Sequence, residues 1–504
     1  MLSKTMTRTP EDTKTQHEQV ADVEQMSMDG STPMATEPGD KEQRAMMEKK
    51  LLQKMDLRII VPMSTLSFLI FLDRAIISNA KLGGIIEDLN LTSTEFSWAL
   101  SILYFGYFLF DIPSNIVLRK WVASYWLSLL TLFCGIVTMC MASCTNFAGL
   151  MVTRFLLGAI QTGFISGGLY FLSIWYTRDE YGKRASHFMG WATISGASSG
   201  LISYGISMIS TSSLNTWQWL FLIQGAPTVL VSCFTLWYIP VKPETAKFMT
   251  EEERVLEMER LAIDQNITID QSWSWEIAST VAKDWKTYMY TIICLFSTIA
   301  LQGVTLTLPS IVAGMGAWST VVSQALTTPP YVMAFIGTLI VGWTSDRFYD
   351  RSLHLIATSL IGIVGYLLLM FIDESLVGVR YFAVCLCTIA TYANTTIKFS
   401  WFENNFSGLT RRAIASATIL SISNIGGVVG SFIYYDPPFY FAGNTITFCC
   451  FTAHAITVVI MRILLDRENK RRAKMTPEQR QEEITKHGGE SLAGDRHPDF
   501  RYVL

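Results

Sequence analysis

Twelve runs of about 20 mostly apolar residues, parted by short polar turns, dominate this chain and leave it few possible folds. About 20 apolar residues carry a helix across a bilayer core. Only helices and closed barrels satisfy their own backbone there. The runs cover 58–79, 95–117, 122–142, 147–170, 187–209, 218–239, 288–309, 320–343, 354–372, 378–400, 413–435 and 443–465. Charge is sorted to match. Only 16% of the 504 residues are charged, where a soluble domain carries roughly a quarter. Most of those charges fall in three stretches, 1–57, 240–286 and 466–504. The pattern predicts an all-α membrane protein with twelve transmembrane helices. It excludes a soluble enzyme, a secreted disulfide scaffold and a nucleic-acid binder.

The charged stretches divide the chain. Residues 1–57 read as a disordered tail without an apolar face. Residues 58–239 form one six-helix half, 240–287 a linker, 288–465 a second six-helix half, and 466–504 a C-terminal tail. Basic residues crowd the loops on one side: Arg119-Lys120, Lys183-Arg184, the linker, Arg347, Arg351 and Arg411-Arg412. The opposite loops hold Lys81 and Arg380. The positive-inside rule makes the first side cytoplasmic, with both termini there. Thr250 followed by Glu251, Glu252 and Glu253 reads as the capped start of a surface helix in the linker. The Asn90-Leu-Thr sequon falls in the first outer loop. The nine cysteines show no metal-site spacing with histidine and read as packing residues. No metal or cofactor is expected.

An ionisable side chain at bilayer depth costs at least about 2.5–3.5 kcal/mol and usually faces a cavity. Five ionisable residues stand out on this ground. Arg154, early in span four, either holds a carboxylate bidentately or snorkels to the interface. Asp73 and Arg74 are adjacent in span one, so they point about 100° apart. Asp73 either braces Arg74 or Arg154, or carries a coupling proton. Lys81 lies two turns beyond Arg74, as a cavity lip or a solvated helix end. Lys398, near the inner end of span ten, either faces an anion or snorkels. Gln161 shares a face with Arg154. Glu403, Asn404 and Asn405 read as partners of Arg411 or Arg412, or as a cap of the next helix. His187 and His454 read as isolated and structural. Tyr170, Trp175, Tyr331, Tyr392 and Trp401 are possible stacking partners or interfacial anchors. Gly158, Gly163, Gly167, Gly168, Gly426, Gly427 and Gly430 read as close-packing positions.

Several strings carry a resemblance. Gly342-Trp-Thr-Ser-Asp346-Arg347-Phe-Tyr-Asp350-Arg351 matches the G-x-x-x-D-R-x-x-x-R loop signature of the major facilitator transporters. Asp111-Ile-Pro-Ser-Asn-Ile-Val-Leu-Arg119-Lys120 is its degenerate counterpart. With Leu72-Asp73-Arg74, Arg154-Phe-Leu-Leu-Gly158, Thr328-Pro-Pro-Tyr331, Asn404-Asn405 and the Glu468-Asn-Lys-Arg-Arg472 ending, the chain resembles the fungal allantoate permease family of anion:cation symporters over roughly residues 55–475. The resemblance implies the major facilitator fold, two six-helix halves rocking about a central site. It implies transport of a small carboxylate or vitamin with protons, across the plasma membrane. It gives Arg74 and Arg154 anion-binding roles, and Asp111, Arg119, Lys120, Asp346, Arg347 and Arg351 gating roles in the loops.

The chain also departs from that family. Gln161 stands where relatives usually carry Glu, Ser166 where they carry Pro, and Gln218 and Gln224 where Arg and Glu are common. A buried Glu is a natural proton carrier, and Gln cannot titrate. The reading is a secondary transporter, not an enzyme. It imports a small organic anion by proton symport and works as a monomer in the bilayer without nucleic acid. The substrate-binding set is Arg74, Arg154, Gln161, Lys81 and Lys398. An uncoupled facilitator or exchanger, an exporter of a secondary metabolite and a non-transporting nutrient sensor stand as alternatives.

Overall fold

A computed structural model describes residues 38–208, 214–266, 275–407, 409–437, 439–486 and 494–504. By contacts the chain divides into two units, residues 1–55 and 56–504. The first contributes helix α1 (Pro38–Met55). That corrects the expected disorder for this part of the tail: Glu, Lys, Gln, Met and Leu supply good helix propensity even without an apolar face. Residues 1–37 lie outside the described residues.

Among the described residues of the second unit all regular secondary structure is helical. After a π-helical turn at Asp56–Ile60, six long or short helices build the first half: α2 (Val61–Leu82), the short α3 (Ile85–Asp88), α4 (Ser93–Lys120), α5 (Ala123–Met141), α6 (Phe147–Trp175) and α7 (Arg178–Ser207). The half is completed by α8 (Thr216–Tyr238). The linker holds α9 (Glu251–Asn266) and α10 (Trp275–Ala282). The second half comprises α11 (Trp285–Ala313), the short α12 (Thr320–Ala325), α13 (Thr328–Phe348), α14 (Arg351–Phe371), α15 (Val377–Asn405), α16 (Leu409–Ser423), α17 (Ile425–Phe432) and α18 (Phe441–Ala473). Beyond it lies α19 (Pro477–Lys486).

Among the described residues, ten helices are long and apolar enough to cross a membrane. Helix α7 is of similar length but more polar, rich in Ser and Gly, and α4 is a long apolar helix with some side chains outside those described. The architecture is a twelve-helix membrane fold. Two expected spans are interrupted. The eleventh breaks at Asn424, between α16 and α17, just before Gly426 and Gly427. The eighth begins only at Thr328, because Pro329 and Pro330 suit a helix's first turn and restart it after α12.

Local chemistry places the helix starts. Thr92 and Glu95 form a capping box at α4. Asn146 caps α6, and Asp350 caps α14. Thr250 and Glu253 exchange backbone bonds at the start of α9, as expected. Within the first half α4 packs along α6, α5 along α8 and α2 along α7; in the second α15 packs along α13 and α14.

The bundle has two ends. At the far end α2 finishes and α4 begins. The near end carries the linker and residues 494–504. The halves touch toward the far end: Ser207 donates to Gln324 Oε1 at 2.6 Å, Thr328 to the Ala197 carbonyl at 3.2 Å, and Ser78 to the Thr305 carbonyl at 3.3 Å. Trp98 meets Phe432 edge-on at 5.1 Å. Nearer the other end Ser421 donates to Asp111 across the halves at 3.1 Å.

Candidate functional site

Helices α2, α4, α6 and α8 bring most of the expected residues together. Arg74 Nε donates to the Tyr107 hydroxyl at 2.6 Å, and its guanidinium lies 4.6 Å from that ring's centroid. The Tyr107 hydroxyl in turn donates to Gln161 Oε1 at 2.7 Å. Three helices are thus joined in one line, with each hydroxyl and amide used in a consistent donor order. Arg154 is 2% exposed. Its Nε donates to the Ala99 carbonyl at 3.3 Å, and its Nη1 has no hydrogen-bond partner. The snorkelling alternative for Arg154 therefore fails: seven residues into α6, the side chain stays inside.

Asp73 is fully buried and accepts a short hydrogen bond from Gln224 Nε2, leaving Oδ2 unpartnered. Among the described residues no cation lies within ion-pair distance of it. Bracing of Arg74 or Arg154 by direct pairing is not seen; Arg154 is an electrostatic neighbour only. The two glutamines of α8 part company. Gln218 caps the helix start and donates to the Ala142 carbonyl at 3.1 Å, whereas Gln224 binds Asp73.

Two expected members lie apart. Lys81 sits at the far end, 5.8 Å from the Phe96 ring centroid and beside Glu87. Lys398 is buried, seven residues before the end of α15, and donates to Ser297 at 2.9 Å. It does not snorkel, and no carboxylate is within ion-pair distance among the described residues. Ser297 donates to Asn394 at 3.2 Å, Asn394 to Ser359 at 3.3 Å, and Ser359 lies 2.9 Å from His454 Nδ1. His454 is therefore not isolated; helix spacing within α18 could not reveal partners on α14, α15 and α11.

The loop residues divide similarly. Asp346 pairs with Arg351 at 2.5 Å, and Arg351 also donates to Ser345. Arg347 lies 5.4 Å from the Trp343 ring centroid. Asp350, singled out only as part of the signature, receives Arg462 at 2.7 Å. Asp111 accepts from Thr162 at 3.3 Å as well as from Ser421. The side chains of Arg119 and Lys120 lie outside those described. Arg411 pairs with Asp284 and Asp495 rather than Glu403, and Asn405 binds Tyr290. Trp175 and Trp401 are buried, so neither is an interfacial anchor; Trp401 donates to the Val503 carbonyl. Tyr107, the centre of the first-half cluster, has no sequence signal beyond an aromatic in an apolar run.

The comparisons accord with this architecture. The family model for the Major Facilitator Superfamily matches residues 63–474. A major facilitator-type transporter of Emericella nidulans, hxnP, is 30% identical over 91% of this chain and 93% of its own length. The MFS-type transporter cnsO of Penicillium expansum is 32% identical over 90% of each. Among solved structures, an inward-facing bacterial homologue of the lysosomal transporter Spinster superposes with a TM-score of 0.60 at 15% identity, covering 80% of this chain and 94% of that one. A D-xylose–proton symporter gives 0.60 at 12% identity, covering 79% and 97%.

Proposed function

The chain belongs to the Major Facilitator Superfamily and is a multi-pass membrane transporter; from that premise we propose that its cargo is a small organic anion. The observation that carries this is the pair of arginines at Arg74 and Arg154, both inside the helical bundle and neither ion-paired among the described residues. An unpaired charge at this depth is costly, and a bound carboxylate removes that cost. Arg154 offers a free Nη1; Arg74 offers its remaining N–H groups beside the Tyr107 ring. Gln161 Nε2 is a further unpartnered buried donor. The finer assignment is to the allantoate-permease-like anion:cation symporters, importing across the plasma membrane with both termini cytoplasmic and acting as a monomer.

Alternating access moves the halves about this cluster. In that orientation the far-end contacts close the site from outside. Asp73 is the buried acid available for a coupling proton: its Oδ2 is unpartnered and Gln224 holds the other oxygen. Lys81 is an outer lip and Lys398 a second cation on the inward path. A facilitator or exchanger without protons is favoured by one specific feature. The amide of Gln161 occupies the place beside Tyr107 where a carboxylate would titrate.

The test is uptake of labelled nicotinate, pantothenate, biotin and allantoate by cells lacking their own permeases, at low and neutral pH, with and without protonophore. Uptake that rises in acid and is lost with protonophore and with Arg154→Ala supports proton-coupled anion import. Protonophore-insensitive uptake selects the facilitator. Absence of uptake from correctly localised protein sinks the anion assignment.

A further inference from the structure

Two contacts between the halves repeat each other. Tyr104 of α4, in the second apolar span, is 4% exposed and lies across Gly427 of α17, in the eleventh. A Cβ on Gly427 would stand 2.4 Å from Tyr104 Cε1, 2.5 Å from Cδ1 and 2.8 Å from Cγ. Tyr331 of α13, in the eighth span, is 2% exposed and lies across Gly196 of α7, in the fifth. A Cβ on Gly196 would stand 2.6 Å from Tyr331 Cε1 and 2.7 Å from Cδ1. Spans two and eight hold the same place in their halves, as do five and eleven. Each half thus offers one tyrosine ring and one glycine seat, and each ring is seated in the other half. The glycines beside Gly427 serve another purpose. Cβ atoms on Gly426 and Gly430 would meet the carbonyl oxygens of Leu295 and Ile299, each at 2.9 Å, inside their own half.

Both rings also lean toward the arginine cluster. Tyr104 is edge-on to Tyr107 at 5.8 Å, and Tyr107 holds Arg74. Tyr331 is edge-on to Tyr392 at 5.7 Å. The Tyr392 hydroxyl lies 3.1 Å from Thr305 Oγ1, and the Thr305 carbonyl accepts from Ser78, one turn beyond Arg74. From this geometry we infer that Tyr104 and Tyr331 are positioning residues of the transport cycle, two pseudo-symmetric seals that close the far end over the cluster and part when it opens. The inference rests on the transporter reading and needs no particular cargo. A rigid ring on bare backbone gives broad van der Waals contact. Parting such a contact breaks no hydrogen bond between ring and seat, which suits a joint made and undone once per cycle. A methyl on either glycine stands where the ring must lie, so it blocks closure rather than opening.

Cross-linking at the far end tests this without a known substrate. Ser207 and Gln324 touch across the halves at 2.6 Å. Ser207→Cys and Gln324→Cys are introduced into the full chain, with the exposed Cys140, Cys233 and Cys449 changed to serine. Oxidation of that pair in membranes reports closure. Gly427→Ala and Gly196→Ala should each slow it about tenfold or more. Tyr104→Ala should restore the rate toward that of the parent in Gly427→Ala, and Tyr331→Ala in Gly196→Ala, but neither should rescue the other glycine. Tyr104→Phe alone should cross-link at the parent rate, because the ring fills the seat. Tyr104→Trp and Tyr331→Trp crowd the same seats from the ring side and should slow closure even if a glycine variant fails to fold. Parent-rate cross-linking in both glycine and both tryptophan variants overturns the inference. So does rescue by either tyrosine change regardless of partner, which marks general loosening. Where a panel compound is imported, the glycine variants should lower maximal uptake without raising the concentration for half-maximal uptake. A raised half-saturation at unchanged maximal rate places the rings in binding and defeats the seal. If no panel compound is imported, the anion reading fails while the cross-linking still decides the seals.

Discussion

Arg74, Tyr107 and Gln161 show how much a single hydroxyl can decide. Tyr107→Phe keeps the ring beside the Arg74 guanidinium but removes both hydrogen bonds of the line. A bond to a charged group contributes about 1.5–3 kcal/mol. We expect roughly a 10- to 100-fold rise in the concentration for half-maximal uptake, read from a concentration series, with surface expression unchanged. Gln161→Glu should add an acid-dependent component to uptake, seen as a steeper pH profile than wild type. Outside the membrane, Glu257 on α9 offers a pH test of its own. Burial raises its carboxyl from 4.5 to about 7 against the opposing pull of Arg260. The folded state thus holds a proton that the unfolded state has released, so Glu257 favours docking most at low pH. That contribution fades as pH rises from 4.5 through about 7. Protection factors across 251–262, with the intrinsic pH dependence of exchange divided out, should fall over that interval, and Glu257→Gln should abolish the fall.

Helix α6 against α4 is the tightest of the helix contacts that hold the first-half cluster. A Cβ on Gly158 would lie 2.1 Å from the Leu103 carbonyl oxygen, and one on Gly106 2.6 Å from that of Phe155. These are backbone obstacles, which cannot rotate away. Gly158→Ala should force the helices apart and cost about 1–3 kcal/mol, measured as a lower unfolding temperature in detergent. Because Arg154 and Gln161 flank Gly158 on α6, the same change should weaken uptake beyond its effect on expression. The spaced glycines of span four were legible in the sequence as packing positions. The partner helix was not, since periodicity reports a face and not what covers it. The break at Asn424 and the late start of α13 likewise escaped the apolar pattern. Hydropathy stays high across a kink, although the Gly and Pro residues that cause both were in plain view.

Residues 494–504 bind the ends of several second-half helices together. Asp495 is fully buried and accepts from Lys286 of α11, with Arg411 of α16 paired to it at 2.9 Å. Arg472 of α18 donates to the carbonyls of Asp495, His497 and Phe500, and Asn405 of α15 exchanges two bonds with Val503. Asp495→Ala would leave Lys286 and Arg411 sharing Asp284 alone. Removing one partner of a buried pair costs about 3–5 kcal/mol. The variant should unfold at lower temperature and expose residues 494–504 to protease.

The twelve helices, the two halves and the singling out of Arg74 and Arg154 as charges at membrane depth rested on local quantities, namely run length, charge placement and the cost of an ionisable group in hydrocarbon. Each can be read along one strand of sequence. Tertiary structure alone decided that Asp73 meets Gln224 rather than an arginine and that Tyr107 joins Arg74 to Gln161. It also decided that Lys398 ends in a chain to His454, and that the charged C-terminal segment packs into the second half. These are contacts between helices far apart in sequence. Their choice depends on rotation and depth of each helix, set by close packing of small residues rather than by any one helix's own pattern.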